Sequence, residues 1–397
     1  MTSTVNPSTA DPTTANTSPA NASPANAEAR PDPHAPAAGD LAQLLSPDGE
    51  RGAHPLLDDW AGDIDDTRLA GLYRDMLLVR RIDAAGVALQ RQGQLGLWAP
   101  AEGQEAVQIG ITRACHDDDF FFTSYRELGV LVARGARPAD LVLGWRGEVF
   151  GTFDPYDLHV ATPQIIIGAQ TLHAVGYAMG VQRDGGDQVA VACFGDGATS
   201  QGDVSEAMVF AASFGAPVVF VCSNNQWAIS EPVGLQSHLP LAGRAPGFGI
   251  PSVRVDGNDV IACTAAMRWA LDHARSGRGP AYIEAVTYRL GPHTTSDDPT
   301  RYRSADEVAL WRTRDPLLRV AGVLRERGLL EAAEAEAEQA AAEFTAGMRR
   351  AALEATTRPP LAVLDDVYAE PHTGIDRQRE QFSAYLEGFA DDEEGTR

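Results

Sequence analysis

Lysine is missing from all 397 residues, so the 32 basic side chains are all arginine. A chain without lysine cannot form a Schiff base with a carbonyl substrate or with pyridoxal, and it cannot supply the lysine of a Walker-type phosphate loop. Cysteine is scarce too. Cys115, Cys193, Cys222 and Cys263 lie far apart, form no CxxC pair, and mostly sit in apolar runs such as 189–194 and 218–222. That pattern reads as buried free thiols in a reducing compartment. No apolar run approaches the roughly 18 residues that a membrane span needs. Residues 1–40 lack the apolar core of a secretory signal and carry one arginine, Arg30, too few for a transit peptide. The expected location is the cytoplasm, with no membrane partner.

Positive charge is also in deficit, with 55 acidic residues giving a net charge of −23. Nonspecific nucleic-acid binding depends on lysine and arginine neutralising phosphates, so no DNA or RNA partner is expected. What remains, at 44% hydrophobic residues, is the composition of a soluble globular chain of two or three domains.

Residues 1–40 are Ala, Pro, Ser, Thr and Asn with loose PAN repeats and no leucine before Leu41. Residues 1–45 are therefore expected to be a disordered tail that cannot bury enough apolar surface to offset chain entropy. From Asp65 to about Gln92, Leu69, Leu72, Met76, Leu77 and Val79 recur at helical spacing and predict a helical lead-in. The middle of the chain alternates short apolar strands with helices: a strand at 188–194, a glycine-rich turn at 195–202, a helix at 203–214 and a strand at 217–222. A strand at 251–255, a helix to about Ser276 and a strand at 281–286 continue the series. All-apolar strands joined by helices describe a parallel sheet covered on both faces, so the expected fold class is α/β, a doubly wound parallel sheet over residues 46–320. Residues 321–397 read as a helical C-terminal region. It contains one long solvated helix at 331–350 and an acidic run at 391–394.

The chemistry concentrates at Gly195-Asp196-Gly197-Ala198, at the carboxyl end of a parallel strand, where such folds bind ligands. Glycines let a backbone approach a ligand closely, and the N-terminus of the following helix offers N–H groups to a phosphate. Asp196 points a carboxylate at the same place, which makes sense only if a cation lies between. The next strand ends in Asn224-Asn225-Gln226-Trp227. Magnesium takes octahedral oxygen coordination, so Asp196, Asn225, a backbone carbonyl at Trp227 and phosphate oxygens would complete a site. Gly-Asp-Gly alone is a common turn. Paired with Asn-Asn across one β-α-β unit, it is the thiamine-diphosphate fingerprint.

Across about residues 65–320 the chain resembles the alpha subunit of the decarboxylating first component of 2-oxo acid dehydrogenase complexes, of pyruvate or branched-chain type. The stretches RQGQLG (91–96), GQEA (103–106), YRELGV (125–130), QIIIGAQ (164–170), GDGATSQGD (195–203), NNQWAIS (224–230), VDGND (255–259) and HTTSDDPTRYR (293–303) carry the resemblance. It implies the thiamine-diphosphate-binding fold, with thiamine diphosphate and magnesium as cofactors. Tyr125 and Arg126 match the diphosphate-binding pair, while Ile165 and Ile167 match the segment that grips the aminopyrimidine and wedges the cofactor. By sequence alone these isoleucines would be core. Asp196, Asn225 and the backbone of Trp227 match the metal ligands. Gly195, Gly197, Ala198 and Ala228 match the lining of the diphosphate, and His293 matches the catalytic histidine beside the reacting carbon.

The resemblance also implies partners. They are a beta subunit supplying the missing half of the site, two alpha with two beta chains, and a lipoyl-bearing transacylase core that accepts the acyl group of a small 2-oxo acid. Phe150 stands where close members carry a histidine, which makes the substrate surroundings less polar. Acetoin dehydrogenase subunits share the pattern, and a noncatalytic assembly or regulatory homologue would share the fold. A nicotinamide-binding domain is excluded, because no GxGxxG opens a helix after a strand.

Overall fold

The computed structural model describes residues 41–147 and 152–393; Phe150 lies outside them. Five strands form one sheet: β1 (Phe120–Phe122), β2 (Ala190–Gly195), β3 (Val218–Asn224), β4 (Ser252–Asp256) and β5 (Ala281–Val286). Their order is β1-β2-β3-β5-β4 and every neighbouring pair is parallel. Successive side chains on a strand point to opposite faces, so β1, β2, β3 and β5 each feed two cores, while β4 gives Val253 and Val255 to the larger one alone. Val191, Cys193, Val219, Val221 and Ile283 join the larger core, and Ala190, Ala192, Phe194, Phe220 and Tyr282 join the smaller one.

Helices cover both faces. The larger core is closed by α1 (Asp66–Arg91), α2 (Glu105–Ala114), α3 (Pro138–Arg146) and, further along the chain, a helix at Val260–His273. The smaller core is closed by α4 (Ala169–Asp184) and α5 (Gly202–Phe214), the latter being the crossover between β2 and β3. The Val260–His273 helix, α6, is the crossover between β4 and β5. The doubly wound parallel sheet expected from the alternating pattern is what forms. Among the described residues, no helix is long and apolar enough to cross a membrane.

Three expectations need correcting. Residues 41–45 are not part of a loose tail: Ala42, Leu44 and Leu45 are buried. Ala42 N donates to Arg254 O at 2.9 Å and Asp256 N donates to Ala42 O at 2.9 Å, so this strap lies along the outer edge of β4. Leu44 N and Leu45 N donate to Asp259 Oδ2 at 2.7 and 2.6 Å, while the other oxygen of Asp259 caps α6 through Ile261 N and Ala262 N. The run Leu41-Ala-Gln-Leu-Leu is the first apolar segment of the chain, and it buries like one.

The boundary at residue 320 falls inside α7 (Pro316–Glu326), whose buried Arg319 donates to Asp256 Oδ2 at 2.8 Å and to Leu45 O at 2.6 Å. The long helix α8 (Leu330–Glu354) is not solvated all round. Ala333, Ala337, Ala341, Met348 and Ala352 form a buried stripe that packs against α1 and α3. Alanine serves both helix propensity and close packing, which is why composition alone reads this stripe as a solvated face.

Cys193, Cys222 and Cys263 are buried free thiols and Cys115 is partly buried. Desolvation pushes all four well above the ordinary thiol range, so none is poised as a nucleophile.

Candidate functional site

In the register of β2 and β3, Gly195 stands opposite Ser223, so the residues that follow each strand emerge side by side at the carboxyl edge of the sheet. There they line a cavity of about 200 Å³ together with Tyr125, Arg126, Ile167, Arg289 and His293. Gly195, Asp196, Gly197, Ala198, Asn225, Trp227 and Ala228 all reach it. Ile165 does not. It lines a neighbouring apolar cavity, and it is 60% exposed rather than core.

Asp196 opens a short 3-10 turn, Asp196–Ser200, that separates β2 from α5. Its carboxylate is only 1% exposed and accepts a hydrogen bond from Gln236 Nε2 at 3.2 Å. Burial pushes it up from 3.8 to about 6, against the pull of its hydrogen bonds and of the Arg289 charge. A buried carboxylate kept ionised at neutral pH under these conditions is the group a cation stabilises. Gly197 lies against the Asn225–Ser230 loop, and a Cβ there would come within 2.7 Å of Ala228 Cβ.

That loop is held in a strained shape. Gln226 and Ile229 adopt φ values of 74° and 57°, a left-handed conformation that costs non-glycine residues about 1–3 kcal/mol each. A buried guanidinium offsets the strain: Arg289 donates to Trp227 O at 2.9 Å and to Ile229 O at 2.8 Å. Asn225 Oδ1 accepts from Trp227 N at 3.3 Å, and its Nδ2 donates to Gln104 Oε1 at 3.3 Å. The carbonyl that sequence reading offers to a metal, Trp227 O, thus already accepts one hydrogen bond. A carbonyl has two lone pairs, so Arg289 leaves one.

His293 sits between two arginines. Arg126 Nη2 lies 3.1 Å from His293 Nδ1 and donates to His293 O at 2.9 Å, while Arg289 Nη1 lies 3.3 Å from the same Nδ1. Guanidinium groups only donate, so Nδ1 must accept and the proton of the neutral ring is on Nε2. Burial and the two flanking positive charges lower its pKa from 6.5 to about 4. Asp297 fixes the loop by accepting from His293 N at 2.9 Å. Arg126 in turn donates to Pro100 O at 2.6 Å, and its guanidinium lies 5.4 Å from the Tyr125 ring centre. The site therefore pairs a neutral imidazole with two arginines, in a cavity that two buried carboxylates, Asp196 and Glu127, also line.

Sequence reading missed Arg289, Gln104, Gln170 and Gln236. Gln104 and Gln170 lie inside the stretches GQEA and QIIIGAQ, but nothing local marks Arg289, whose carbonyl partners are about sixty residues away in the chain. Gln104 Nε2, Gln170 Oε1 and Arg289 Nε, all on residues lining the cavity, are buried with no partner within the protein. Buried orphans of this kind are uncommon and mark a place where a polar ligand belongs. Among the described residues no three His, Cys, Asp or Glu side chains cluster to hold a metal. A cation at Asp196 would thus rely on one carboxylate, neutral oxygens and the oxygens of its co-ligand, a donor set that suits magnesium. Gly197→Ala, by driving its Cβ into Ala228, should push back the loop that carries Asn225 and Trp227 and lower the urea midpoint of the chain.

The sequence model of the family described as "Dehydrogenase E1 component" matches residues 73–363. The chain is 46% identical over 346 residues to the 3-methyl-2-oxobutanoate dehydrogenase subunit alpha of Mycobacterium tuberculosis, covering 87% of this chain and 94% of that one. It is 40% identical over 292 residues to the pyruvate dehydrogenase E1 component subunit alpha of Staphylococcus epidermidis, covering 73% and 78%. Breadth of match and level of identity agree with the arrangement at the strand ends: the chain belongs to the dehydrogenase E1 component family.

Proposed function

We propose that the chain is the alpha subunit of a 2-oxo acid dehydrogenase first component. It decarboxylates pyruvate or a branched-chain 2-oxo acid such as 3-methyl-2-oxobutanoate, and passes the acyl group to a lipoyl-bearing transacylase core. The observation that carries this reading is the cavity at the ends of β2 and β3, where Asp196 and Asn225 meet Arg126, Arg289 and a neutral His293. Those residues fit thiamine diphosphate with magnesium. Asp196, Asn225 and Trp227 O hold the cation, Tyr125 and Arg126 take the diphosphate by charge-assisted hydrogen bonds, and the closely packed Gly197 leaves it room. Ile167 supports the organic part. When bound, the cofactor supplies the nucleophilic carbon and the electron sink for decarboxylation. The chain's own part is to orient and to donate: His293 presents its Nε2–H to the reacting oxygen atoms.

The same end of the sheet argues for a partner. Ile166, Ile229, Leu235 and Leu239 are all more than half exposed, Ile229 lines the cavity itself, and Leu235 adjoins Gln236, which bonds Asp196. An apolar rim around a polar site marks a surface that another chain covers. That chain is the beta subunit, in an assembly of two alpha and two beta chains in the cytoplasm. Purified alone at micromolar concentration, the chain should show no decarboxylase activity. Co-purified with beta, thiamine diphosphate and magnesium, it should reduce an artificial electron acceptor with pyruvate or 3-methyl-2-oxobutanoate. Full activity of the isolated chain would overturn the shared site, and inactivity of the loaded complex toward both acids would overturn the reaction.

A further inference from the structure

Strand β5 reads Ala-Tyr-Ile-Glu-Ala-Val, and Glu284 is its one charged residue. The side chain is 0% exposed, and nothing in the function proposed above uses it. In the register of the sheet it stands between Cys222 of β3 and Arg254 of β4. Glu284 Oε2 lies 3.5 Å from the Nε of Arg254, which is buried as well. Exchanging a buried ion pair for apolar residues of similar volume is often neutral or stabilising, so stability alone does not account for a carboxylate at this depth.

The two oxygens of Glu284 reach different halves of the site. Oε1 accepts from Asn224 Nδ2 at 2.8 Å, and Asn224 Oδ1 accepts from Gln226 N and Nε2, each at 3.2 Å. Gln226 belongs to the strained loop that carries Asn225 and Trp227, and has its φ at 74°. Oε2 accepts from Ala242 N at 2.8 Å. Ala242 lies in the 3-10 segment Leu241–Phe248, whose Arg244 donates to Thr199 O at 2.5 Å, within the Asp196–Ser200 turn. Arg244 also donates to the carbonyl of Gln236 at 3.1 Å, and Gln236 is the residue that bonds Asp196.

We propose that Glu284 is a positioning residue for the cation site, a buried carboxylate that fixes the Asp196 turn and the Asn225 loop against each other. The inference rests on the function proposed above. Hydrogen-bond direction makes the arrangement specific. The N–H groups of Gln226 and Ala242 only donate, so the two side chains between them must offer an acceptor at each end and one donor in the middle. A carboxylate beside an amide meets that requirement, and two amides do not. Glutamine at position 284 would strand one N–H whichever way either amide turned, and one half of the site would lose its tether.

The test uses the alpha–beta complex. Glu284→Gln should weaken magnesium thiamine diphosphate by about 10- to 100-fold in titration calorimetry, the scale of one stranded buried donor. Adding Asn224→Asp restores the order of donors and acceptors. The new amide accepts from Ala242 N and donates to the new carboxylate, which in turn accepts from Gln226 N. The double variant should therefore bind within about threefold of the wild type, whereas Asn224→Asp alone, which sets two carboxylates together, should lose roughly as much as Glu284→Gln. A second readout needs no cofactor. In the cofactor-free complex, Glu284→Gln should speed hydrogen exchange in the turn 196–200 or the loop 225–230, leave β3 and β5 as in the wild type, and be reversed in the double variant. Affinity of Glu284→Gln within threefold of wild type, no recovery in the double variant, or faster exchange spread evenly over β3 and β5 would overturn the inference. Local loosening that the double variant reverses, in a wild-type complex that binds no magnesium thiamine diphosphate, would uphold the tether and overturn the cofactor reading instead.

Discussion

Replacing Asp196 with asparagine should separate function from stability, abolishing magnesium-dependent thiamine diphosphate binding while making the cofactor-free complex harder to unfold. The carboxylate is 1% exposed and burial raises it to about 6 from 3.8. A raised carboxyl means that the folded state holds its proton more tightly than the unfolded chain. This contribution is fully favourable below about 3.8 and is lost as pH rises through about 6. At pH 7.5 the ionised group therefore opposes folding, on the order of 3 kcal/mol. Asp196→Asn removes that penalty and keeps an oxygen for Gln236. Urea unfolding should show the gain at pH 7.5 and none near pH 4, and decarboxylation should fall at least 100-fold. Magnesium with thiamine diphosphate should raise the melting temperature of the wild type only, since a ligand stabilises just the state that binds it. Cofactor affinity within threefold of wild type would remove Asp196 from the proposed metal site.

The second large effect belongs to His293. A positioned hydrogen-bonding or proton-transferring side chain contributes about 10²–10⁴-fold, and His293→Ala should lower kcat by that amount. His293→Gln offers a sharper measurement, because the glutamine amide nitrogen lies near the place of Nε2. Since Arg126 and Arg289 oblige Nδ1 to accept, the ring's useful atom is the Nε2–H donor, and the amide should recover at least tenfold over alanine. With the imidazole lowered to about 4, no ionisation of His293 should shape the pH profile of kcat/KM between pH 5.5 and 8. The folded ring stays neutral while the unfolded one charges below about 6.5, so this residue's contribution to stability is lost as pH falls toward 4. A glutamine variant no better than alanine would mean that the ring moves a proton rather than holding a donor in place.

Much of the fold was legible because strands buried on both faces must be largely apolar, and 188–194, 217–222 and 281–286 are so apart from Gln188 and Glu284. Strand β5 forms over Ala281–Val286, the span read from the sequence. That Asp196 and Asn225 meet at one cavity was legible because Gly-Asp-Gly, a common turn by itself, is followed one β-α-β unit later by Asn-Asn, and parallel register brings the two strand ends side by side. Arg289 was not, since its role comes from carbonyls that only the fold brings near it. The isoleucines of QIIIGAQ carry no sign of exposure in their own pattern; all three are exposed, and Ile165 and Ile167 border cavities, a tertiary fact. The strap at 41–45 was lost to averaging: five residues with a leucine-rich signature sit at the end of forty without one.

That strap sets an order of events. Leu44 and Leu45 bond to Asp259, 215 and 214 residues further along, and Leu45 O waits for Arg319, 274 residues further. At about 5–20 residues per second of synthesis, roughly 10–40 s separate the appearance of the leucines from that of their aspartate. Among the earliest of the described residues to leave the ribosome, this segment is among the last to find its place, and its leucines stay available to chaperones meanwhile. Until it docks, β4 presents a bare sheet edge, the kind of surface on which nascent chains pair with one another. Docking of the strap therefore closes the sheet at the end of synthesis, so shortening the chain into residues 41–45 should reduce soluble yield before it touches catalysis.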